Sequence, residues 1–245
     1  MSEEQPNRVS RRRVLGSVAA LAGLSLAPGV SLIQARAPAE GADAGVRWGL
    51  LVDTTRCPSD CDACITACRE EHGWPPGNAA EKAQWIRKMH VGDHDSDGAQ
   101  RTLPMMCQHC AEPPCVSVCP TTASFQRADG IVLVDKHRCI GCRYCMMACP
   151  FQARSFVHAP VTEPSPNHPR GRGTVEACNL CVHRIDRGEP PACVERCTRQ
   201  GHAALIFGDL NDPASEIRRA LHERGGAPLR GDLGVDPGVR YHGIS

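Results

Sequence analysis

Residues 139–150 read Cys-Ile-Gly-Cys-Arg-Tyr-Cys-Met-Met-Ala-Cys-Pro, with four cysteines separated by two, two and three residues. Three thiols with this spacing fit on one loop that curls around a metal cluster, so that each thiolate reaches a different iron. The fourth, Cys149, begins a segment that leaves this cluster and ligates the other one of a pair. Pro150 suits a chain that turns directly after a ligand, because proline fixes its backbone angle and has no N–H to donate. The stretch therefore predicts an iron–sulfur site.

The chain holds 16 cysteines in four groups of four, and none is left over. Because fourth ligands are exchanged between clusters, we expect the groups to work in twos. Pro120 follows Cys119 as Pro150 follows Cys149, which supports the same use of the second group. The groups are Cys57, Cys61, Cys64, Cys68; Cys107, Cys110, Cys115, Cys119; Cys139, Cys142, Cys145, Cys149; and Cys178, Cys181, Cys193, Cys197.

Two other uses of these cysteines are open, zinc binding and disulfide bonding. Zinc also takes four thiolates, but its two cysteine pairs are usually separated by a longer loop than the few residues found here. Disulfides occur in exported proteins, but closely spaced cysteines pair awkwardly, and disulfide frameworks are typical of much shorter chains. We therefore favour iron–sulfur clusters over both.

Residues 1–39 are interpreted as an export signal. An arginine run at 11–13 precedes an apolar stretch over residues 14–27, a pattern typical of a twin-arginine leader. A membrane-spanning helix needs about 20 apolar residues, so the stretch is interpreted as a signal-peptide core. We expect cleavage after Ala39, with cleavage after Ala37 or an uncleaved anchor as alternatives. Export in the folded state suits clusters inserted in the reducing cytoplasm, and it predicts a mature protein on the periplasmic side of the cytoplasmic membrane.

The remaining sequence is expected to form one iron–sulfur domain over residues 40–210, followed by a C-terminal helix and tail over residues 211–245. Aromatic residues make up only 4% of the chain, so its stability is expected to come largely from metal ligation. The formal net charge is +1, and residues 1–39 carry five arginines and two glutamates, which leaves −2 for the remainder. That charge argues against a nucleic-acid partner.

The pattern between the cysteine groups predicts short strands and short helices. Residues 50–57 (LLVDTTRC) match residues 132–139 (VLVDKHRC) as an internal repeat, in which a strand leads into a cysteine group. A hairpin is predicted for residues 124–134, because Asp129-Gly130 supplies a turn between two apolar runs. Further strands are expected at Trp85–Val91, Ala153–Val157 and Ala204–Phe207.

One ordinary helix is predicted at Pro213–Arg224. Asp212 is its expected N-cap, Pro213 suits the first helical position, and Gly225 ends the run. Together these elements predict an α+β fold with short strands, short helices and long loops. The cysteine spacing predicts that this fold is built of tandem bacterial-type ferredoxin modules with two [4Fe-4S] clusters each.

Other polar features are not assigned to metal. The run Asp93–Gly98 resembles the start of a calcium loop, but Pro104 stands where the closing glutamate belongs, so a solvated loop is expected. The histidines, among them His72, His109 and His183, are expected on the surface or in loops. Three insertions are expected to contact partners: Glu70–Leu103, Ala159–Gly173 and the tail from Arg230.

In the order and spacing of its cysteine groups, the chain resembles the four-cluster ferredoxin-like electron-transfer subunits of the dimethyl-sulfoxide and polysulfide reductase class. The resemblance runs from Trp48 to about Phe207. Within that class, stretches between the cysteines are similar to the DsrO subunits of DsrMKJOP membrane complexes of sulfur metabolism. These stretches are Gln84–Lys88, Leu103–Cys110, Cys139–Pro150 and Phe207–Pro213.

The resemblance implies four [4Fe-4S] clusters, with the first cysteine group paired with the fourth and the second with the third. Each pair exchanges its last cysteine, so an inner module at about residues 104–158 is inserted between the outer groups at 57–68 and 178–197. The outer pair is less regular, because Cys57 and Cys61 are separated by three residues and Thr198 follows Cys197. The implied ligand sets are set 1, Cys57, Cys61, Cys64 and Cys197; set 2, Cys68, Cys178, Cys181 and Cys193; set 3, Cys107, Cys110, Cys115 and Cys149; and set 4, Cys119, Cys139, Cys142 and Cys145.

Full ligation by protein leaves no open coordination position, so we expect a non-catalytic subunit that accepts and releases single electrons. The resemblance implies two partners, a quinone-reactive NrfD-type integral membrane subunit and a multihaem cytochrome c or another redox subunit. Membrane association is expected through these partners. Two alternatives are the electron-transfer subunit of a molybdopterin oxidoreductase, such as a tetrathionate, polysulfide or sulfoxide reductase, and a zinc-stapled structural scaffold.

Overall fold

The computed structural model describes residues 42–76, 83–91, 101–162 and 170–244. The predicted leader, its expected cleavage site and the aspartate run at 93–98 lie outside the described residues. The strands are β1 Trp48–Asp53, β2 Ile86–Val91, β3 Arg101–Met106, β4 Ser124–Gln126, β5 Val132–Val134, β6 Ser155–Phe156, β7 Val175–Glu176, β8 Leu205–Asp209 and β9 Val239–His242. The helices are α1 Ala63–His72, α2 Pro114–Ser117, α3 Tyr144–Met147, α4 Val182–Ile185, α5 Ala192–Arg199 and α6 Glu216–Arg224, with a 3₁₀ turn at Gly231–Leu233.

A three-stranded sheet in the order β8-β1-β9 joins the two ends of the domain. β1 pairs antiparallel with β8, with Leu50 opposite Phe207, and parallel with β9, with Leu50 opposite Val239. Leu50, Leu51 and Val52 are all buried, because both faces of this central strand are covered. β9 lies within residues 211–245, which the sequence analysis places outside the iron–sulfur domain. Part of that predicted tail therefore completes the central sheet of the domain.

Three two-stranded sheets surround the middle cysteine groups. The predicted hairpin is confirmed as β4 and β5, with Ser124 opposite Val134. β2 pairs with β3, with Ile86 opposite Met106, so part of the predicted first insertion is a β-ribbon. The strand predicted at Ala153–Val157 shortens to β6, which pairs with β7.

The internal repeat has a structural counterpart after β1 and β5. The Asp53 carboxylate accepts a hydrogen bond from the Thr55 N–H at 3.1 Å, and the Asp135 carboxylate accepts one from the His137 N–H at 2.8 Å. In both copies an aspartate thus turns the chain locally from the strand into the cysteine loop.

The predicted start of the C-terminal helix is wrong. Helix α6 begins at Glu216, and Ser215 is its N-cap, with Oγ accepting from the Arg218 N–H. The Asp212 carboxylate accepts instead from the Ala214 N–H at 2.8 Å, which holds a turn before the helix. Ser215 caps the helix in place of Asp212 because its hydroxyl also donates to the Asp209 carbonyl at 2.6 Å, which anchors the cap to the end of β8.

The secondary structure is compatible with the predicted α+β class. In the described parts of the chain, no helix is both long and apolar enough to cross a membrane.

Shortening Ile217 should loosen α6 from the central sheet. Ile217 is fully buried against Leu51 and Ile206, so Ile217→Ala should lower the stability by about 3 kcal/mol through lost burial and a cavity. The measurement is the midpoint of thermal unfolding at one scan rate, compared with the exposed control Arg219→Ala. Equal midpoints for the two variants would contradict the packing of α6 on β1 and β8.

Candidate metal centres

None of the 16 cysteines forms a disulfide, and most are buried at the starts of short helices or in the loops before them. Cys64 and Cys68 lie in α1, Cys115 in α2 and Cys145 in α3. A helix that begins among the cysteines points its free N–H groups toward them, and this orientation stabilises negative charge.

The thiols of the first group lie beside Cys197 of the fourth. Burial raises the pKa of Cys64 to about 12, and the charges of Cys57, Cys197 and Cys61 add to the rise. Burial also raises the pKa of Cys57, again with contributions from Cys61 and Cys197. These neighbours are the members of set 1.

Cys68 leaves its own group and lies with the first three thiols of the fourth. Burial raises its pKa well above the ordinary value, and the next contributions come from Cys178 and Cys181. Burial does the same to the pKa of Cys193, followed by the charges of Cys181, Cys178 and Cys68. These neighbours are the members of set 2.

In the inner groups, thiols also lie beside thiols of another group. Burial raises the pKa of Cys110 to about 12, with contributions from Cys115 and from Cys149 of the other group. Burial also raises the pKa of Cys145, and the raising charges come from Cys139 and from Cys119 of the other group. The inner thiols are therefore neighbours in the combinations of sets 3 and 4.

The same interactions place the sets in a series. The Cys64 charge contributes to the raised pKa of Cys68, after burial and the thiols of set 2, so set 1 adjoins set 2. The Cys178 charge contributes in the same way to the raised pKa of Cys107, so set 2 adjoins set 3. The Cys145 charge acts on the pKa of Cys115, where burial is again the largest cause, so set 3 adjoins set 4.

Thiols packed in this way suit a cationic cluster. Buried thiolates repel one another strongly in a medium of low polarity, and a metal cluster removes that cost by binding them all. Among the described residues, no three His, Cys, Asp or Glu side chains converge closely enough to hold a single ion. A four-iron cluster asks for a different arrangement, because its thiolates bind different irons.

Backbone N–H groups donate to thiol sulfurs in every set, as is expected where the sulfurs carry negative charge. The donors are Ala204 to Cys197 at 3.3 Å, Leu180 to Cys178 at 3.5 Å, Ala153 to Cys149 at 3.5 Å, Ser124 to Cys119 at 3.3 Å and Val175 to Cys139 at 3.4 Å. The donor chemistry therefore fits iron–sulfur clusters.

Among the described histidines, His72 and His109 are buried. The expectation of a surface or loop position is wrong for His72, which lies in α1, whereas His109 does lie in a loop. His72 Nε2 lies 3.3 Å from Cys181 Sγ, and its ring packs on Trp85 with 4.5 Å between centroids. His109 Nδ1 accepts from the Val132 N–H at 3.0 Å. The position of His72 four residues after Cys68 on α1 places both on one helix face, a signal that was available in the sequence.

The helices that carry set 2 are joined by ion pairs outside the thiols. Arg184 of α4 contacts Glu71 of α1 at 3.2 Å and Glu195 of α5 at 2.7 Å. His183 lies 2.6 Å from the same Glu71 carboxylate. This network links α1, α4 and α5 and so helps to hold Cys68, Cys181 and Cys193 in place.

Arg154 also lies at the thiols, and the sequence analysis does not single it out. It is 6% exposed, and its Nη2 donates to Cys115 Sγ at 3.0 Å. The sequence around it gives no signal, because the contact joins residues 39 positions apart.

Comparison with known proteins supports this chemistry. Residues 99–209 match the family model described as a 4Fe-4S dicluster domain. The chain is 40% identical to the Hdr-like menaquinol oxidoreductase iron-sulfur subunit 1 of Archaeoglobus fulgidus, over 95% of this chain and 97% of that protein. It is 37% identical to a tetrathionate reductase subunit of Salmonella typhimurium, over 96% of this chain and 88% of that protein. It is 38% identical to protein NrfC of Escherichia coli, over 93% of this chain and 92% of that protein.

Paired substitutions test the crossed ligand sets. If Cys149 and Cys110 bind the same cluster, Cys149→Ala with Cys110→Ala should lose about as much iron as either single variant, roughly one cluster per chain. Cys149→Ala with Cys142→Ala should lose about two clusters. The measurement is iron and acid-labile sulfide per chain after anaerobic purification. The opposite pattern, with additive loss only for Cys149 and Cys110, would refute the crossed arrangement.

Proposed function

The chain belongs to the family of iron–sulfur subunits of oxidoreductase complexes, and from this membership we propose that it relays single electrons through four [4Fe-4S] clusters on the periplasmic side of a membrane. Its relatives are electron-transfer subunits rather than catalytic ones, and it is such a subunit itself. The single observation that carries the four-cluster relay is the series of four thiol sets, each containing a cysteine from a distant group.

The proposed ligands are the sixteen cysteines in sets 1 to 4, arranged as tandem two-cluster modules. When bound, a [4Fe-4S] cluster supplies reversible one-electron chemistry. The protein binds it through four thiolates, which leaves no coordination position for a substrate. Backbone N–H groups stabilise the charge on the sulfurs, and the apolar side chains packed around the thiols exclude water.

Burial along the series fits a relay with two ends. All four cysteines of set 2 are buried, as are Cys107, Cys110 and Cys115 of set 3. In contrast, Cys142 of set 4 is exposed, and Cys57 and Cys61 of set 1 are partly exposed. Electrons are therefore proposed to enter and leave at sets 1 and 4, while the two middle sets of the series, sets 2 and 3, are shielded from solvent.

Exposed apolar side chains surround the set 4 end. Ile140, Tyr144 and Met147 flank Cys142 and are 67%, 53% and 74% exposed. Large apolar side chains at this exposure are typical of a surface that another protein covers. We assign this surface to a redox partner in the complex.

The proposed partners are a quinone-reactive NrfD-type membrane subunit and a multihaem cytochrome c or another redox subunit. Attachment to the membrane is proposed to occur through them, after export of the folded chain by its twin-arginine leader. The similarity of the inter-cysteine segments to DsrO favours a complex of the DsrMKJOP type, in sulfur metabolism.

A molybdopterin oxidoreductase is the second candidate for the complex, because the relatives include the tetrathionate reductase subunit and a putative dimethyl sulfoxide reductase iron-sulfur subunit from Halobacterium salinarum. The relay would be the same, but its partner would be a large catalytic subunit. Purification of the tagged chain with its partners from membranes decides between them: a multihaem cytochrome supports the first complex, and a molybdopterin subunit supports the second.

Metal analysis tests the relay itself. The anaerobically purified chain should contain about sixteen irons and a similar amount of acid-labile sulfide, with a brown colour that chelation under reducing conditions removes. Removal should also unfold the domain, because so much of its interior consists of cluster ligands. Zinc without sulfide would instead support a structural scaffold and overturn the proposal.

A charge on the set 4 surface should weaken partner binding. Met147→Glu should reduce the amount of redox partner that copurifies at least several-fold, since it places a charge in an apolar interface. Met89→Glu is the matched control, because Met89 is also exposed, at 44%, but lies in β2. Iron content should be unchanged in both variants. Equal partner recovery from both would remove set 4 as a docking end.

A further inference from the structure

Arg154 lies between the two inner sets and is held there by its neighbours along the chain. The Ala153 N–H donates to Cys149 Sγ at 3.5 Å, and the Ser155 hydroxyl accepts from the Gln84 N–H at 3.1 Å. The backbone on both sides of Arg154 is therefore fixed, one side by a cysteine of set 3 and the other by the segment before β2.

The guanidinium of Arg154 faces thiols of both sets. Nη2 donates to Cys115 Sγ of set 3 at 3.0 Å, and Cys115 packs in one cluster of buried residues with Cys145 of set 4. Burial raises the pKa of Cys107, Cys115 and Cys145, and at each of these thiols the Arg154 charge is the largest influence in the opposite direction.

In the described part of the chain, no carboxylate pairs with this buried charge. Nε and Nη1 of Arg154 are buried without a hydrogen-bond partner, and its raised pKa is traced, after the opposing effect of burial, to Cys115, Cys107 and Cys145. Arg170, whose side chain is 5% exposed, contrasts with it, because its Nη2 and Nε each lie 2.8 Å from the Glu176 carboxylate. A buried charge without a counter-ion is costly, so the charge of Arg154 must be balanced by the negative charge of the cysteines it faces, in the thiolate form that binds metal.

We propose that Arg154 is a positioning residue shared by the third and fourth sites, and that its fixed positive charge raises the reduction potentials of both inner clusters together. The proposal rests on the four-cluster relay. Reduction adds one electron, and hence one negative charge, to a cluster, so a buried cation nearby favours the reduced form. Acting on both sites from between them, Arg154 keeps the two inner potentials high and close to each other.

The test replaces the charge while keeping a polar side chain of similar length. In Arg154→Gln we expect both inner clusters to become harder to reduce, each by at least a tenfold change in the equilibrium constant, which is about 59 mV for a one-electron step. The two outer clusters should keep their potentials. The measurement is a redox titration of the cluster-loaded protein followed by electron paramagnetic resonance, with the four signals assigned beforehand through the cysteine variants.

Arg127→Gln is the matched control, because Arg127 is a partly buried arginine that is already paired with Asp129 and Asp186, both at 2.8 Å. It should leave all four potentials unchanged. Unchanged inner potentials in a fully loaded Arg154→Gln protein would overturn the proposal. The proposed function fails separately, if the unsubstituted chain lacks iron and sulfide.

Arg154→Lys covers the case in which the glutamine variant does not assemble. Lysine keeps the positive charge but lacks the planar fork of arginine, so we expect at least one inner potential to stay near its unsubstituted value. A fall of both inner potentials as large as the one expected for Arg154→Gln would show that the charge does not set them. Loss of iron from the inner pair in both variants would make Arg154 an assembly residue and would also overturn the proposal.

Discussion

The sixteen cysteines, ten of which are buried, can all be thiolates in a domain of about two hundred residues only if something positive binds them. Burial, followed by repulsion between neighbouring thiolates, raises the pKa of Cys64 and Cys110 to about 12. The bare site therefore favours protonated thiols, and cluster binding must displace those protons. The rest of the structure follows from this requirement. Strands are short, helices begin among cysteines, and the largest group of buried residues mixes apolar side chains with thiols.

The sequence predicts those parts of the fold that depend on residues close together in the chain. The Asp129-Gly130 turn predicts the β4–β5 hairpin, and the repeat around Asp53 and Asp135 predicts two equivalent entries into cysteine loops, because each depends on residues a few positions apart. The pairing of β1 with β9 and the contact of Arg154 with Cys115 join distant residues, and no periodicity marks them. The N-cap at Ser215 is not predicted from the sequence for a related reason, because its hydroxyl is held by a hydrogen bond to the end of β8.

The contrast between the ends and the middle of the series links the packing to the proposed relay. Buried middle sets keep water and oxidants from the sulfurs, while the partly exposed end sets allow close approach by a second protein. Exposure also influences the potential of a cluster, so the same burial pattern that gives access at the ends distinguishes the middle sites electrostatically. The proposed effect of Arg154 crosses this division, because it acts on one middle set, set 3, and on one end set, set 4.

The position of β1 also has a consequence for the order in which the sheet can form during synthesis. β1 pairs only with β8 and β9 among the described strands, and both come from the last part of the chain. A ribosome therefore releases Leu50, Leu51 and Val52 long before their partners exist, whereas β4 and β5 emerge almost together. The β4–β5 hairpin can therefore pair early in synthesis, whereas the sheet around β1 can close only when the polypeptide is nearly finished. A chain that ends before Cys197 would thus keep β1 without its strand partners and set 1 without its fourth cysteine, so an unfinished molecule differs physically from a finished one.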